Sequence, residues 1–220
     1  VSDGTLRREL GVLRAALNYE HKHGRLLRVP HVWLPSKPAG KDRWLERDEA
    51  ARLLWASRHD SKARQYLPLF ILIGLYTGAR KGAILDMRWP QVDFARGVID
   101  FNPPGRKRTD KGRSIIPIPR GLKWFLVKAR ERGSDLGYVI SRNGKPLGDI
   151  KKGFAAAAIR AGLDEVTPHT LRHTAGTWLA QKGVDLFQIA GWLGHSHDRT
   201  SELYAHHHPD HFKAAREAMD

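Results

Sequence analysis

Side chains in three clusters of the sequence have types and spacings that could bind an anion or do chemistry. Arg80 and Arg172 have guanidinium groups, whose planar set of donors matches the oxygens of a phosphate. His169 lies three residues before Arg172, so the imidazole and the guanidinium share one face of a helix. An imidazole and a guanidinium at the start of a helix make an anion-binding site, helped by the helix dipole. His195 and Tyr204 belong to a third cluster, with nine residues from the histidine to the tyrosine.

Two of these clusters also fit a role without chemistry when each is taken alone. Arg80 follows Gly78, a typical helix stop, and an exposed arginine after a helix cap is common. His169 and Arg172 fit a solvated polar face near the start of a helix that Thr167 begins. The combination of the clusters and their order along the chain therefore carry more information than any one of them.

In their order, the clusters resemble the sequence boxes of tyrosine recombinases of the phage-integrase kind. Thr77-Gly78-Ala79-Arg80 resembles the first box, and His169-x-x-Arg172-His173 resembles the second. Leu193-Gly194-His195-Ser196, with Tyr204 nine residues after the histidine, resembles the closing box. The intervals between the boxes are similar as well, and the resemblance covers about residues 43 to 210.

The resemblance implies a function and a role for each residue. The function is site-specific DNA recombination of the phage or prophage integrase type. Strands are cleaved and rejoined through a covalent 3′-phosphotyrosyl intermediate, without metal, ATP or another cofactor. Arg80 and Arg172 would clamp the scissile phosphate, and His169 would act as general acid and base. His195 would help to hold the phosphate, and Tyr204 would be the nucleophile.

The resemblance also implies a lysine on a β-hairpin that protonates the leaving 5′ oxygen. The basic stretch 106–113 is the predicted hairpin tip. Lys111 fits this role best because of its place before Gly112, and Lys107 is the alternative. For either lysine, a surface contact to a DNA phosphate explains the residue equally well.

The chain departs from the family pattern at one position. Three residues after the arginine of the first box the family often has an acidic residue, but this chain has Ala83. Asp86 is nearby but out of register, so the acidic helper is expected to be missing or replaced.

The composition favours a nucleic-acid partner. Lys and Arg number 38 against 23 Asp and Glu, which gives a net charge of +15 and a pI near 10.4. Such an excess suits a polyanion such as double-stranded DNA, although a basic protein without that partner can have the same composition.

The absence of cysteine excludes disulfides and thiolate metal sites. No signal peptide is recognised, and the most apolar segment, 67–76, is far shorter than the ~20 residues that span a membrane, so a cytoplasmic location is expected.

The chain is predicted to be mostly α-helical with a small antiparallel β-sheet. An amphipathic helix at 5–23 precedes the proline-containing stretch 29–41, which predicts a linker. By the resemblance, residues 1–40 are the C-terminal remnant of a helical, DNA-binding core-binding domain with its linker, and residues 41–220 are the catalytic domain with its C-terminal tail. Further helices are predicted at 46–57, 64–76, 120–132, 149–161, 169–182, 184–192, 198–204 and 210–219, and strands at 98–101, 114–118 and 138–141.

Other interpretations remain open. A type IB topoisomerase uses the same cleavage chemistry, and a non-catalytic DNA-binding module explains the charge but not the ordered catalytic residue types. The run His206 to His208, with His211, suggests a metal site, but the carboxylate–histidine spacing of zinc enzymes is missing. The tail 205–220 carries an apolar stripe. By the resemblance, subunits form a tetramer on DNA and exchange such tails, while packing on its own domain is the alternative.

Overall fold

The computed structural model describes residues 1–37, 43–103, 105, 112–132, 137–194 and 202–208. The chain divides into two compact units, Val1–Asp42 and Arg43–Asp220. The first unit contains helix α1 (Asp3–Lys22), which begins where the side chain of Ser2 accepts a hydrogen bond from the backbone N–H of Thr5. None of the α1 residues is buried, so the apolar stripe of this helix is at most partly covered by other protein atoms. The assignment of this unit to a core-binding domain stays a prediction.

The second unit contains the other helices and strands of the described residues. Its α-helices are α2 (Arg47–Ser57), α3 (Leu67–Thr77), α4 (Lys81–Leu85), α5 (Arg120–Arg132), α6 (Lys151–Arg160), α7 (Pro168–Gln181) and α8 (Leu186–Leu193). Its strands are β1 (Val92–Asp93), β2 (Val98–Asp100), β3 (Ile115–Pro117), β4 (Ser141–Arg142) and β5 (Lys145–Pro146). Among the described residues, 3-10 helices cover Ala63–Gln65, Trp89–Gln91 and Glu202–His207. The fold is therefore mostly α-helical with small antiparallel sheets, as predicted.

Helix α3 lies at the centre of the core because it is apolar on all sides. Phe70 and Ile73 are completely buried. Gly74 lets α7 approach closely, since a Cβ added there would lie 2.7 Å from the Cδ1 of Leu171. The helix ends at Gly78, whose φ of 62° is the left-handed conformation that glycine adopts at a helix stop. Although α3 is strongly apolar, no helix in the described parts of the chain is long and apolar enough to cross a membrane.

Strands β1, β2 and β3 form an antiparallel sheet in that order. Ile99 of β2 pairs with Val92 on one side and with Ile116 on the other, and all three side chains are buried. The flanking residues of β2 and β3 are more exposed, so one face of the sheet covers the core. Strands β4 and β5 form a separate hairpin, whose turn Asn143-Gly144 has positive φ at both residues.

The predicted helix 64–76 differs from the structure at its start. Residues Ala63–Gln65 form a 3-10 turn, and α3 begins only at Leu67. Pro68 explains the break, because proline disfavours a helical conformation of the residue before it and suits the first turn of a new helix. Helix α4 and strand β1 are missing from the prediction because five and two residues are too few to display a period.

Two later predictions also need correction. The predicted strand 138–141 is an isolated bridge between Tyr138 and Arg88, followed by the short β4. The predicted helix 198–204 lies largely outside the described residues, and its end belongs to the 3-10 helix Glu202–His207. The predicted helix 210–219 lies entirely outside them.

Candidate active site

Arg80 stands between the end of α3 and the start of α4, where it is the N-cap residue with an extended backbone. Its Nη1 donates to the carbonyl oxygens of Gly112 and Gly194, the latter at 3.1 Å. Gly112 leads into β3, and Gly194 directly follows α8. Arg80 is therefore held by two segments that lie 32 and 114 residues away in the sequence.

The side chain of Arg172 extends from α7 to the ends of α3 and α8, in the cleft that Arg80 also lines. Arg172 is only 3% exposed. Its Nη1 donates to the carbonyl oxygens of Gly78 at 2.8 Å and Leu193 at 2.7 Å, at the ends of α3 and α8. The other terminal nitrogen, Nη2, is buried and has no hydrogen-bond partner among the described residues. Because a buried charged donor without a partner costs free energy, this nitrogen is suited to an anionic ligand.

Two glycines bring the β2–β3 connection directly onto the end of α8. We call the segment Gly112–Ser114 the hairpin base. A Cβ added at Gly112 would lie 3.0 Å from the carbonyl oxygen of Gly194, and a Cβ at Gly194 would lie 3.1 Å from that of Gly112. The hydroxyl of Ser114 donates to the carbonyl oxygen of Trp192 at 2.7 Å. The two backbones therefore touch without a side chain between them.

Thr167 is the N-cap of α7 and Pro168 lies in the first turn, as predicted, which puts His169 at the N-terminal end of the helix. The rings of His169 and His173 meet edge to face, with 4.7 Å between their centroids. The ring of His173 lies 6.3 Å from that of Tyr204. His173 is thus close to both the histidine and the tyrosine of the predicted site.

Tyr204 lies in the 3-10 helix Glu202–His207 and is only 3% exposed. Its ring packs against Gly176 of α7, where an added Cβ would lie 2.5 Å from the Cζ of the tyrosine. Leu193 of α8 belongs to the same buried cluster. Burial and the charge of Arg80 lower the pKa of Arg172, and the phenol of Tyr204 offsets part of that lowering.

Burial and, to a smaller extent, the positive charge of the site lower the pKa values of Arg172 and His169. Burial, followed by the charge of Arg80, lowers the pKa of Arg172 to about 10, so this arginine is still protonated at neutral pH. His169 is an exposed residue, yet protein atoms around its ring replace part of the water there and desolvate it. That desolvation, followed by the charges of His173, Arg172 and Arg80, lowers the pKa of His169 to about 4. His169 is therefore neutral at pH 7 and able to accept a proton.

Four of the predicted site residues lie in the described part of the chain, namely Arg80, His169, Arg172 and Tyr204. They come from the α3–α4 junction, α7 and the 3-10 helix Glu202–His207. Lys111, its alternative Lys107, and His195 lie outside the described residues. Lys111 and His195 are each the sequence neighbour of a glycine whose carbonyl oxygen accepts a hydrogen bond from Arg80.

Two contributors to the site are not recognisable from the sequence boxes. Gly176 makes room for the ring of Tyr204, and nothing near it in the sequence marks this role. Arg113 forms an ion pair with Asp86 at 2.9 Å beside Arg80. The only sequence signal for this pair is the acidic residue near the first box that is out of register.

The histidine run after Tyr204 does not form a metal site in the part of the chain that the structure describes. No three His, Cys, Asp or Glu side chains cluster there as possible metal ligands. The rings of His206 and His207 face each other at 3.9 Å, and His207 also meets the ring of Trp44 at 4.6 Å. His211 lies outside the described residues.

Curated proteins related to this chain include a phage integrase and an archaeal recombinase. The integrase of Salmonella phage P22 is 26% identical over 222 residues, which cover 96% of this chain and 56% of the relative. Tyrosine recombinase XerA of Thermococcus kodakarensis is 28% identical over 204 residues, which cover 83% of this chain and 64% of the relative. The chain therefore spans less than two thirds of the length of these two relatives.

The fold and the family are shown by two further comparisons. A structure of the Tn1549 transposon integrase in complex with a circular intermediate DNA superposes with a TM-score of 0.80 at 19% identity, covering 100% of this chain and 80% of that chain. The fold is thus that of tyrosine recombinase catalytic domains. Residues 43–211 match the phage integrase family, which is more than half of the chain. The chain accordingly belongs to the phage integrase family.

Proposed function

We propose that the protein is a site-specific DNA recombinase that cleaves and rejoins strands through a covalent 3′-phosphotyrosyl intermediate. The observation that carries the proposal is that Arg80 and Arg172 both donate to carbonyl groups at the end of α8, where Leu193 belongs to the same buried cluster as Tyr204. The Nη2 of Arg172 is buried there without a partner among the described residues, as a phosphate-binding donor would be. The relatives support the same function, since two of them are named integrases and one is bound to DNA.

In the proposed first step, the phenolic oxygen of Tyr204 attacks the scissile phosphorus. A bond forms between that oxygen and phosphorus, while the bond from phosphorus to the 5′ oxygen breaks. Neutral His169 takes the phenolic proton, and Lys111 gives a proton to the departing 5′ oxygen. The phosphotyrosyl ester retains the energy of the broken bond. A 5′ hydroxyl can therefore reverse the step on the same or another strand without ATP.

Arg80 and Arg172 are proposed to stabilise the charge that spreads over the non-bridging oxygens of the phosphate. Both guanidiniums are already fixed by carbonyl acceptors through Nη1. Their orientation therefore costs little reorganisation when the transition state forms. The burial of Arg172 strengthens its interaction with a phosphate, because fewer water molecules compete for the donor.

The proposed roles of Lys111 and His195 rest on their neighbours in the sequence. The carbonyl oxygens of Gly112 and Gly194 both accept hydrogen bonds from the Nη1 of Arg80. Lys111 precedes Gly112 and His195 follows Gly194 in the sequence, and the match to the phage integrase family supports a leaving-group acid at Lys111 and a phosphate-holding group at His195.

Double-stranded DNA is the proposed substrate, and the net charge of +15 suits this polyanion. Residues 1–40 are proposed to be the end of a core-binding domain that contacts the same DNA. A chromosomal or phage DNA substrate also makes the cytoplasm the proposed location.

Covalent trapping tests the function. The chain is incubated in EDTA with a library of nicked duplexes that carry a randomised core. The nick lets a short strand diffuse away and prevents resealing. We expect an SDS-resistant adduct whose DNA reveals the site and whose labelled peptide contains Tyr204. Two duplexes of different length that carry the captured site should then exchange strands. Relaxation of supercoiled plasmid without any exchange would instead identify a topoisomerase, and no adduct at all would contradict both enzymes.

The pH dependence of cleavage tests the role of His169. Only the neutral imidazole can accept the phenolic proton, and it predominates above a pKa of about 4. The contribution of His169 should therefore stay constant from pH 8 to pH 6 and disappear only as the pH falls towards 4. The measurement is the single-turnover rate at subsaturating DNA, which reports on the free protein. A midpoint between pH 6 and 7 that vanishes in His169→Gln would contradict this assignment.

The active assembly is proposed to be a tetramer on DNA in which each tail docks on a neighbouring copy. An apolar groove of about 330 Å³ is formed by α2, α3 and α7, and Arg47 and Lys182 lie on its walls. The tail has apolar Phe212, Ala215 and Met219 at three- and four-residue steps, and this apolar stripe complements the apolar surface of the groove.

Ending the chain after Pro209 tests this assembly. The shortened protein should remain folded but stay monomeric on paired sites, and its cleavage should lose coordination between sites. Ala51→Trp is a matched variant, because it fills the exposed side of the groove and leaves the tail intact. Sedimentation of the protein–DNA complexes measures the assembly state of both variants, and the cleavage of paired sites measures their coordination. Assembly and cleavage at the wild-type level in both variants would exclude the exchange.

A further inference from the structure

The first residues of the second unit are fastened to α7. We call residues 43–46 the entry segment. Leu45 of this segment is completely buried, and side chains of α7 bind both of its backbone polar groups. Its N–H donates to the Oγ1 of Thr174 at 2.9 Å, and its carbonyl oxygen accepts from the Nε1 of Trp178 at 3.0 Å. The neighbouring Trp44 is therefore attached to α7 through a backbone with two fixed points.

Side chains of the entry segment hold it further. Arg43 pairs with Glu49 of α2 through both terminal nitrogens, at 2.9 and 2.7 Å. The Nε1 of Trp44 donates to the Oε1 of Glu46 at 3.2 Å, which limits the orientations of the indole. The entry segment thus presents the ring of Trp44 from a fixed base.

The 3-10 helix that carries Tyr204 lies on a different face of α7. We call Glu202–His207 the nucleophile segment. The tyrosine ring lies on Gly176, where an added Cβ would come within 2.5 Å of its Cζ and 2.7 Å of both Cε atoms. His173 is three residues before Gly176, on the same face of the helix, and its ring lies 6.3 Å from that of Tyr204. The size of the residue at position 176 therefore sets how closely the phenol approaches α7.

One side-chain contact joins the two segments. The ring of Trp44 meets that of His207 edge to face, with 4.6 Å between the centroids and an angle of 69° between the planes. His207 lies three residues after Tyr204, at the end of the nucleophile segment. The segment is therefore contacted at two places, by Gly176 beneath the tyrosine ring and by Trp44 at its end.

We propose that Trp44 and Gly176 are positioning residues for the nucleophile of the proposed strand-transfer reaction, on which this inference rests. Gly176 sets the depth of the Tyr204 ring on α7, and Trp44 keeps the nucleophile segment against that surface. Neither role requires a contact with the reacting atoms. Arg80 and Arg172 are fixed separately, by carbonyl groups at the ends of α3 and α8. Loss of either positioning residue should therefore misplace the tyrosine and leave the two arginines in place.

The rate of attack on phosphorus depends steeply on the position of the nucleophile, and a displacement of ~1 Å can cost about 10²-fold. In Gly176→Ala, the new Cβ would lie 2.5 Å from the Cζ of Tyr204, so the ring must move. Alanine favours a helix more than glycine does, so this substitution does not weaken α7 itself. Trp44→Ala removes the indole that the ring of His207 meets, and the end of the nucleophile segment can then shift.

A joining reaction that bypasses the tyrosine separates positioning from general damage. The probe is the nicked duplex captured by trapping, with a p-nitrophenyl ester on the 3′ phosphate at the cleavage position and a free 5′ hydroxyl beside it. The 5′ oxygen forms a bond to phosphorus, the bond to nitrophenolate breaks, and the proton of the hydroxyl passes to the buffer. The arginines must still bind the phosphate, but the ester takes the place of the phosphotyrosine.

For adduct formation on the unmodified nicked duplex, we expect Gly176→Ala and Trp44→Ala to be slowed about 10²-fold. Trp44→Phe keeps an aromatic ring at this place and should stay within about fivefold of the wild type. All three variants should join the nitrophenyl ends within about threefold of the wild type, because this reaction does not depend on where the tyrosine lies. Tyr204→Phe must join them without forming an adduct, and Arg172→Ala should lose both reactions.

Two variants are matched controls. Trp55→Ala removes another indole that packs against a histidine, since its ring lies 3.9 Å from that of His59. Gly191→Ala adds a methyl group to α8, where the new Cβ meets no described residue outside its own helix within 4 Å. Both controls should form adducts and join ends at the wild-type rate.

The outcomes separate this inference from the function on which it rests. If Gly176→Ala and Trp44→Ala lose adduct formation and joining together, they damage the whole site and do not position the tyrosine. Adduct formation at the wild-type rate in both variants would overturn the inference as well, while the adduct on Tyr204 would still establish strand cleavage. If the wild type joins nitrophenyl ends but forms no adduct, the tyrosine is not the nucleophile, and the proposed function and this inference fail together.

Discussion

Tyr204→Phe is expected to abolish the covalent protein–DNA adduct while DNA affinity remains unchanged. The substitution removes only the phenolic oxygen, and that oxygen is the atom that forms the bond to phosphorus. The ring that packs against Gly176 is retained, so the 3-10 helix Glu202–His207 should keep its place. Adduct formation on the nicked duplex and equilibrium binding to the same duplex measure the two effects separately.

Tyr138→Phe is the matched control for this prediction. The hydroxyl of Tyr138 accepts a hydrogen bond from Arg88 at 3.0 Å, in a contact that involves none of the predicted site residues. Its removal should leave adduct formation intact. If Tyr204→Phe still forms adducts, the nucleophile is elsewhere, and Tyr138 is the next candidate to test.

Arg172→Ala is expected to slow cleavage by ~10²–10³, far more than it weakens DNA binding, because the guanidinium acts mainly on the transition state. The substitution also removes the donor for the carbonyl oxygens of Gly78 and Leu193. Leaving such groups unsatisfied costs on the order of 1–3 kcal/mol of stability, so thermal unfolding must be measured alongside the rate. Single-turnover cleavage well below the Tm of the variant isolates the catalytic effect.

Two further variants support the interpretation of this rate loss. Arg172→Lys keeps the charge but loses the planar fork, so it should restore part of the stability and little of the rate. Arg88→Ala is the control, because this arginine lies over the ring of Tyr138 at 4.6 Å and none of its described contacts is with Arg80, His169, Arg172 or Tyr204, the site residues that the structure describes. Cleavage by Arg172→Ala within about tenfold of wild type would remove this arginine from the transition state.

Local features of the fold could be predicted because their causes lie within a few residues of each other. Gly78 ends α3 in the left-handed conformation that glycine tolerates, and Thr167 caps α7, whose first residue is Pro168. The apolar segment of α3 and the alternation around Ile99 likewise indicate a buried helix and a half-buried strand. The sequence boxes identified Arg80 and Arg172 as candidates because their spacing matches a known pattern.

Short elements and helix starts were less predictable. Helix α4 has five residues and β1 has two, so neither is long enough to display a period of its own. Both exist because neighbouring elements support them, as when β2 pairs with β1 on one side and β3 on the other. Tyr138 pairs with Arg88, 50 residues away, instead of extending a strand.

The sequence by itself determined which residue types are available and which of them share a helix face. Only the tertiary structure decided that Arg172 is buried with its Nη1 on carbonyl groups 94 and 21 residues away, and that Gly176 is the surface on which Tyr204 lies. It also decided that Asp86, in the wrong register for the family pattern, meets Arg113. Periodicity and capping depend on neighbours along the chain, whereas these contacts depend on how α3, α7, α8 and the hairpin base pack together. No local spacing encodes that packing.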